Sequence, residues 1–149
     1  MSTWIYLSHK LNTSTPSYGG GDGFDVQRVS SIARGDTSNN SFLHLPSHLG
    51  THIDSPNHFE SNGLSLDQIT AEQWIFSNVY IITYQADPEE MLGGENWLVL
   101  FEQIPINTDL LLIKTGFEKY RINTSVIDND SIYIFHNPGV SPEAGIWLR

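Results

Sequence analysis

His48 to Phe59 reads HLGTHIDSPNHF, and four of the chain's six histidines lie between His44 and His58. Pro46 precedes the segment and Pro56 lies between Asp54 and His58. Each proline lacks an amide donor and restricts the residue before it, which disfavours a continuous helix through His48, His52 and His58 and predicts extended chain and loop. Side chains two apart on extended chain share a face, so His52 and Asp54 point to one side, and His48, four residues before His52, shares it. Three nitrogen and oxygen ligands then converge from one short piece of chain. Gly50 permits a tight bend, and Thr51 can support the site by hydrogen-bonding a carboxylate or the backbone.

Outward from the motif, Val26 to Ala33 and Ser41 to Leu45 read as strands paired across the polar turn Gly35 to Asn40, delivering the histidines to the end of a sheet. Before them, Trp4 to Ser8 is a short apolar run predicted as a first strand, and Asn12 to Gly23 is loop, rich in Ser, Thr, Pro and Gly. Its GGGDG run is not a phosphate loop, since neither a Lys-Ser/Thr pair nor a helical pattern follows.

After the motif, Ser65 caps a predicted helix to about Trp74, with Asp67 and Gln68 in its first turn. Val79 to Tyr84 is a strand, Glu95 to Ile104 a helix, Pro105 to Asp109 a turn, and Leu110 to Thr115 a buried strand ending at Gly116. Ile132 to Phe135 reads as another strand. Ser141 as N-cap, Pro142 at the first helical position and Glu143 near the positive dipole end open a final helix. Strands alternating with helices argue an α/β fold.

A chain of 149 residues with 39% hydrophobic content fits one domain over 1–149. The apolar runs fall far short of the roughly 20 residues of a membrane-spanning helix. The N-terminus MSTWIYLSHK lacks a basic segment leading into a long apolar run, so no secretory leader is expected and a cytoplasmic location is. Seventeen acidic against seven basic residues give a net charge of -10, which repels a phosphate backbone and an anionic membrane surface, so neither nucleic acid nor membrane is expected as a partner. The absence of cysteine removes disulfides, thiolate catalysis and thiolate-bound zinc, so a metal must be held by imidazole and carboxylate.

Two histidines and a carboxylate leave positions open on Zn²⁺ or Mn²⁺, as in a catalytic rather than a closed structural site, and water held there loses a proton near neutral pH. His58, past the Pro56 turn, is placed to act as general acid or base. The plainer alternative is a histidine-rich loop whose imidazoles each bond the backbone. The joint spacing H-x-G-T-H-x-D-x-P-x-H-F favours the ion, whereas the isolated His9, His44 and His136 take the plainer reading.

HLGTHIDSPNHF resembles the signature of the cyclase-like metal-dependent hydrolases, the family of bacterial kynurenine formamidase and isatin hydrolase. Further matches run along nearly the whole chain: Tyr6-Leu7-Ser8 resembles the family's D-L-S, with Tyr6 where Asp is usual; Lys114-Thr115-Gly116 resembles its R-T-G; and Pro138 to Ala144, PGVSPEA, resembles its P-G-L-S-x-E-A. The resemblance implies a mixed β-sheet curling into a barrel-like core with flanking helices. It makes His48, His52 and Asp54 metal ligands, with Asp54 able to bridge to a second ion, makes His58 the catalytic acid/base, and sets Tyr18 where the family has aromatic substrate contacts. It also implies a later G-I-D-x-x-S segment with a distal histidine and glutamate. None of these follows in this sequence, so the chain is expected to be truncated at its C-terminus.

The expected activity is that of a metal-dependent amidohydrolase, an arylformamidase converting N-formylkynurenine to kynurenine and formate in tryptophan catabolism, with a small-molecule amide as substrate. The alternatives are a catalytically silent metal-binding member, or a sibling hydrolase opening a cyclic amide or lactone. A homodimer is a candidate assembly, because a neighbouring chain can supply ligands.

Overall fold

The computed structural model describes residues 6–122 and 127–148. The chain divides into two compact units, Met1–Ser65 and Leu66–Arg149. In the first, β1 (Asp25–Ser30) and β2 (Asn40–His44) form an antiparallel hairpin in which Asp25 faces His44, Val26 faces Leu43 and Gln27 faces Phe42. A bulge between Arg28 and Ser30 ends the regular ladder. The strand predicted over Val26 to Ala33 therefore stops early, for a local reason. The Ser31 N–H donates to the Asp36 carboxylate at 2.6 Å and the Ile32 N–H to Asn39 Oδ1 at 3.1 Å, so both donors leave the ladder and Ile32–Arg34 closes into a 3₁₀ turn.

Asn12 to Gly23 is loop, as predicted, and carries one 3₁₀ turn at Tyr18–Gly20. Thr15 is buried, its Oγ1 accepting the Asn12 N–H at 3.0 Å. The strand predicted at Trp4 to Ser8 is not formed over Tyr6 to Ser8, which are exposed, and Trp4 and Ile5 lie outside the described residues.

In the second unit, β3 (Val79–Thr83) and β5 (Leu110–Lys114) pair in parallel, with Tyr80 beside Leu111 and Ile82 beside Ile113. These four side chains share one face and meet the core of Ile82, Ala86, Leu92, Trp97, Phe101 and Ala144. β5 is thus half-buried rather than buried, because its other face leaves Leu112 exposed. A second parallel pair, β4 (Met91–Leu92) with β6 (Gly139–Val140), escaped the sequence reading, since two-residue strands carry no periodicity.

α1 (Glu95–Phe101) contributes Trp97 and Phe101, whose rings lie 5.6 Å apart, and Phe101 stacks on Trp147 of α4 (Pro142–Trp147) at 4.7 Å. α1 ends at Phe101, short of the predicted Ile104: beyond it the chain tightens into i→i+3 bonds, from the Gln103 N–H to the Leu100 carbonyl at 3.2 Å and from the Ile104 N–H to the Phe101 carbonyl at 2.9 Å, before Pro105. α4 starts as predicted, with Ser141 Oγ accepting the Ala144 N–H at 3.2 Å. α2 (Glu118–Ile122) precedes α3 (Ile127–Phe135), which replaces the strand predicted at Ile132 to Phe135. The His136 N–H bonds the Ile132 carbonyl at 3.0 Å in helical register, and Tyr133 lies parallel to Phe117 at 6.3 Å. Packing overrides the strand preference of this β-branched and aromatic run.

The helix predicted from Ser65 to Trp74 is broken into two 3₁₀ turns, Leu66–Gln68 and Ala71–Trp74. Thr70 is extended, with ψ 153°, and its N–H donates to Gln73 Oε1 at 3.1 Å; it acts as a second N-cap, so the run restarts there.

Secondary structure is thus mixed α/β. Among the described residues the strands form three two-stranded sheets, and no helix is long and apolar enough to cross a membrane.

Asp109 joins the turn before β5 to the start of β3: its carboxylate accepts the Ser77 and Asn78 N–H groups, each at 2.8 Å. The Ser77 bond above all, with Asn78, holds this carboxyl below the usual carboxylate range. Its stabilising contribution is therefore present above the ordinary carboxylate pKa and lost as pH falls through the depressed folded value. Urea midpoints measured between neutral and acid pH are expected to fall less steeply for Asp109→Asn than for the wild type. Parallel curves would show that Asp109 carries none of the acid sensitivity.

Candidate metal centre

β2 ends at His44, and Pro46, without an N–H to donate, keeps the ladder from continuing. The chain turns at Ser47 and His48, and Leu49 is buried and bridges to Ser17 of the early loop. Gly50 then adopts φ +66°, in the left-handed region that glycine enters without strain. Its carbonyl lies 2.9 Å from His52 Nδ1. With Nδ1–H donating to that carbonyl, Nε2 is left as the free donor atom of His52, the orientation that ligating histidines take from their outer partners.

Asp54 is the point of convergence. Its Oδ1 lies 2.7 Å from His48 Nδ1 and 3.4 Å from His52 Nε2. Ligands held about 2.0 Å from a tetrahedral ion sit roughly 3.3 Å from one another; the His52 separation matches that spacing, while His48 Nδ1 and Asp54 Oδ1 are in direct hydrogen-bond contact. Pro56 opens a 3₁₀ turn, Pro56–His58, and the His58 N–H bonds the Ser55 carbonyl at 2.9 Å. That turn lays the His58 ring on His48 at 3.8 Å between centroids, inclined by 31°, while His48 and His52 meet edge to face at 5.2 Å. Donor atoms of His48, Asp54 and His58 all lie within 4.8 Å of one another. The side chains of His48, His52 and Asp54 are 39, 31 and 47% exposed, which leaves room for a small substrate to reach them.

The four motif residues singled out from sequence are therefore together, by a route other than the one expected. Strand alternation does not hold across the motif, because the Gly50 turn intervenes, and it is that turn which carries His52 and Asp54 back toward His48. Support for His52 comes from the Gly50 carbonyl, while the Thr51 side chain is exposed. Tyr18 follows the Ser17–Leu49 bridge, so its loop adjoins the motif, and the residue is 80% exposed. The Phe59 ring, 4.1 Å from His58 and exposed, closes the motif but was given no role from the sequence.

The isolated histidines are elsewhere. His44 faces Asp25 across the hairpin, beside an open cavity of about 780 Å³ lined by Asp22, Phe24, Leu43 and Pro46 among others. His136 pairs with Glu89, Nδ1 to Oε1 2.7 Å, and its carbonyl accepts the Glu89 N–H at 3.0 Å.

A family model described as "Putative cyclase" matches residues 5–149. An uncharacterized protein of Haemophilus influenzae is 29% identical over 104 residues, which cover 70% of this chain and 69% of that protein. Cyclase-like protein 2 of Arabidopsis thaliana is 35% identical over 54 residues, 35% of this chain and 20% of that protein.

Proposed function

The chain belongs to the cyclase family, and from that membership we propose that it is a metal-dependent hydrolase of an aryl formamide, N-formylkynurenine being the substrate to test first. The observation that carries the proposal is the convergence of two imidazoles on one carboxylate oxygen, with a third imidazole stacked beside them. The donor set suits Zn²⁺ or Mn²⁺: borderline nitrogen ligands with one hard oxygen, and too few protein ligands to close the coordination sphere.

His48, His52 and Asp54 hold the ion, and the Gly50 carbonyl keeps His52 presenting Nε2. When bound, the ion supplies Lewis acidity toward the amide oxygen and makes a water acidic enough to act as nucleophile near neutral pH. His58 carries the proton, taking it from the attacking water and returning it to the leaving aniline nitrogen, without which the C–N bond cannot break. Exposed Tyr18 offers its ring face to the aryl group. The barrel-like sheet, the cytoplasmic location and the small-molecule amide partner belong to this same proposal.

The test is formate release from N-formylkynurenine by the purified chain, stripped with chelator and then loaded with Zn²⁺ or Mn²⁺. Release that disappears on stripping and returns on loading supports the reading. Metal bound in full with no turnover of formamide, isatin or lactone rejects it.

A further inference from the structure

His58 is held at its place by a closed loop. The Pro56 carbonyl accepts the Phe59 N–H at 3.3 Å and the Glu60 N–H at 3.0 Å, the Glu60 carbonyl accepts the Gly63 N–H at 2.8 Å, and the Asn57 N–H donates to the Leu64 carbonyl at 3.1 Å. This brings the backbone of residue 63 flat against the Pro56–Asn57 peptide. A Cβ on Gly63 would lie 2.6 Å from the Pro56 carbonyl carbon, 2.7 Å from Asn57 N and 2.8 Å from Pro56 O. All three neighbours are backbone atoms, so nothing can rotate aside and the Pro56–His58 turn itself must move. Left-handed geometry is not what demands glycine here; the close approach is.

We propose that Gly63 is a positioning residue for His58: by letting the two backbone segments touch, it fixes the turn that stacks His58 on His48. The inference rests on the reading of His58 as proton carrier. Relieving the overlap moves the turn and with it the His58 imidazole, whereas His48, His52 and Asp54 precede Ser55 and are not among the atoms that a Cβ at Gly63 would meet. A misplacement of about 1 Å costs on the order of a hundredfold in rate.

Gly63→Ala in the full chain is expected to bind Zn²⁺ like the wild type and to lower kcat for formate release by roughly ten- to a hundredfold with KM unchanged, because only a step in the bound complex is impaired. A second readout is independent of turnover. His58 ring protons are expected to be shifted by the ring of His48 in the wild-type NMR spectrum and to move toward their ordinary positions in the variant. Should Gly63→Ala fail to fold, insertion of one glycine between Ser61 and Asn62 slackens the same loop without adding a Cβ, and the same two changes are expected. A folded variant with wild-type kcat and unmoved His58 resonances overturns the proposal, as does loss of zinc affinity in step with kcat, which would mean that Gly63 merely supports the whole loop. If the wild type releases no formate, the proposed function fails, and the NMR comparison still decides the positioning claim.

Discussion

Asp54→Ala is expected to abolish zinc binding in a competition titration against a chelating dye, and with it any formate release. Asp54 supplies the only carboxylate of the convergent set, and its Oδ1 is the shared neighbour of His48 and His52. Loss of an outer partner of a ligating residue already costs about 10- to 100-fold in affinity, so removal of a ligand itself should exceed about 100-fold. Asp54→Asn should fail almost as badly, since it keeps the shape and removes the charge. Both variants should fold, because the side chain is half-exposed and belongs to no core. Zinc affinity within a few-fold of wild type in both would remove Asp54 from the site.

His58→Ala separates chemistry from binding. Turnover is expected to fall by about 10²–10⁴, the usual contribution of a positioned proton carrier, while zinc binding stays close to wild type apart from the lost ring contact with His48. The geometry makes this a sharp test, because a His58 nitrogen also lies within 4.8 Å of donor atoms of His48 and Asp54. A drop in zinc affinity comparable to that of Asp54→Ala would make His58 a ligand and take the proton-carrier role from it.

The site was more legible than the scaffold around it. Pro46, Pro56 and the histidine spacing disfavoured a continuous helix and grouped His48, His52, Asp54 and His58 as candidates, because ligand chemistry depends on residue type as well as on path. The path itself was misread: a strand-like alternation was expected where Gly50 makes a left-handed turn, and one glycine does not announce which of its conformations it uses. Gly63 was illegible for a related reason, since close backbone approach depends on the residues it folds against.

In the scaffold, β2, β3 and β5 followed their apolar runs, and Ser141-Pro142 announced α4. Ile132 to Phe135 misled, because a β-branched and aromatic run of four is equally apolar as the end of a helix, and Tyr133 packing on Phe117 decides between them. Thr70 could have been seen as an N-cap with Gln73 three residues on; the apolar positions on either side hid it.

The central claim, that this loop holds a catalytic-type divalent ion, is tested most directly by elemental analysis of chelator-stripped, zinc-loaded and desalted protein beside the His52→Ala variant. Retention of about one ion per chain by the wild type, lost in His52→Ala, is the predicted result. A wild-type chain that retains none, or a His52→Ala chain that retains as much, contradicts it.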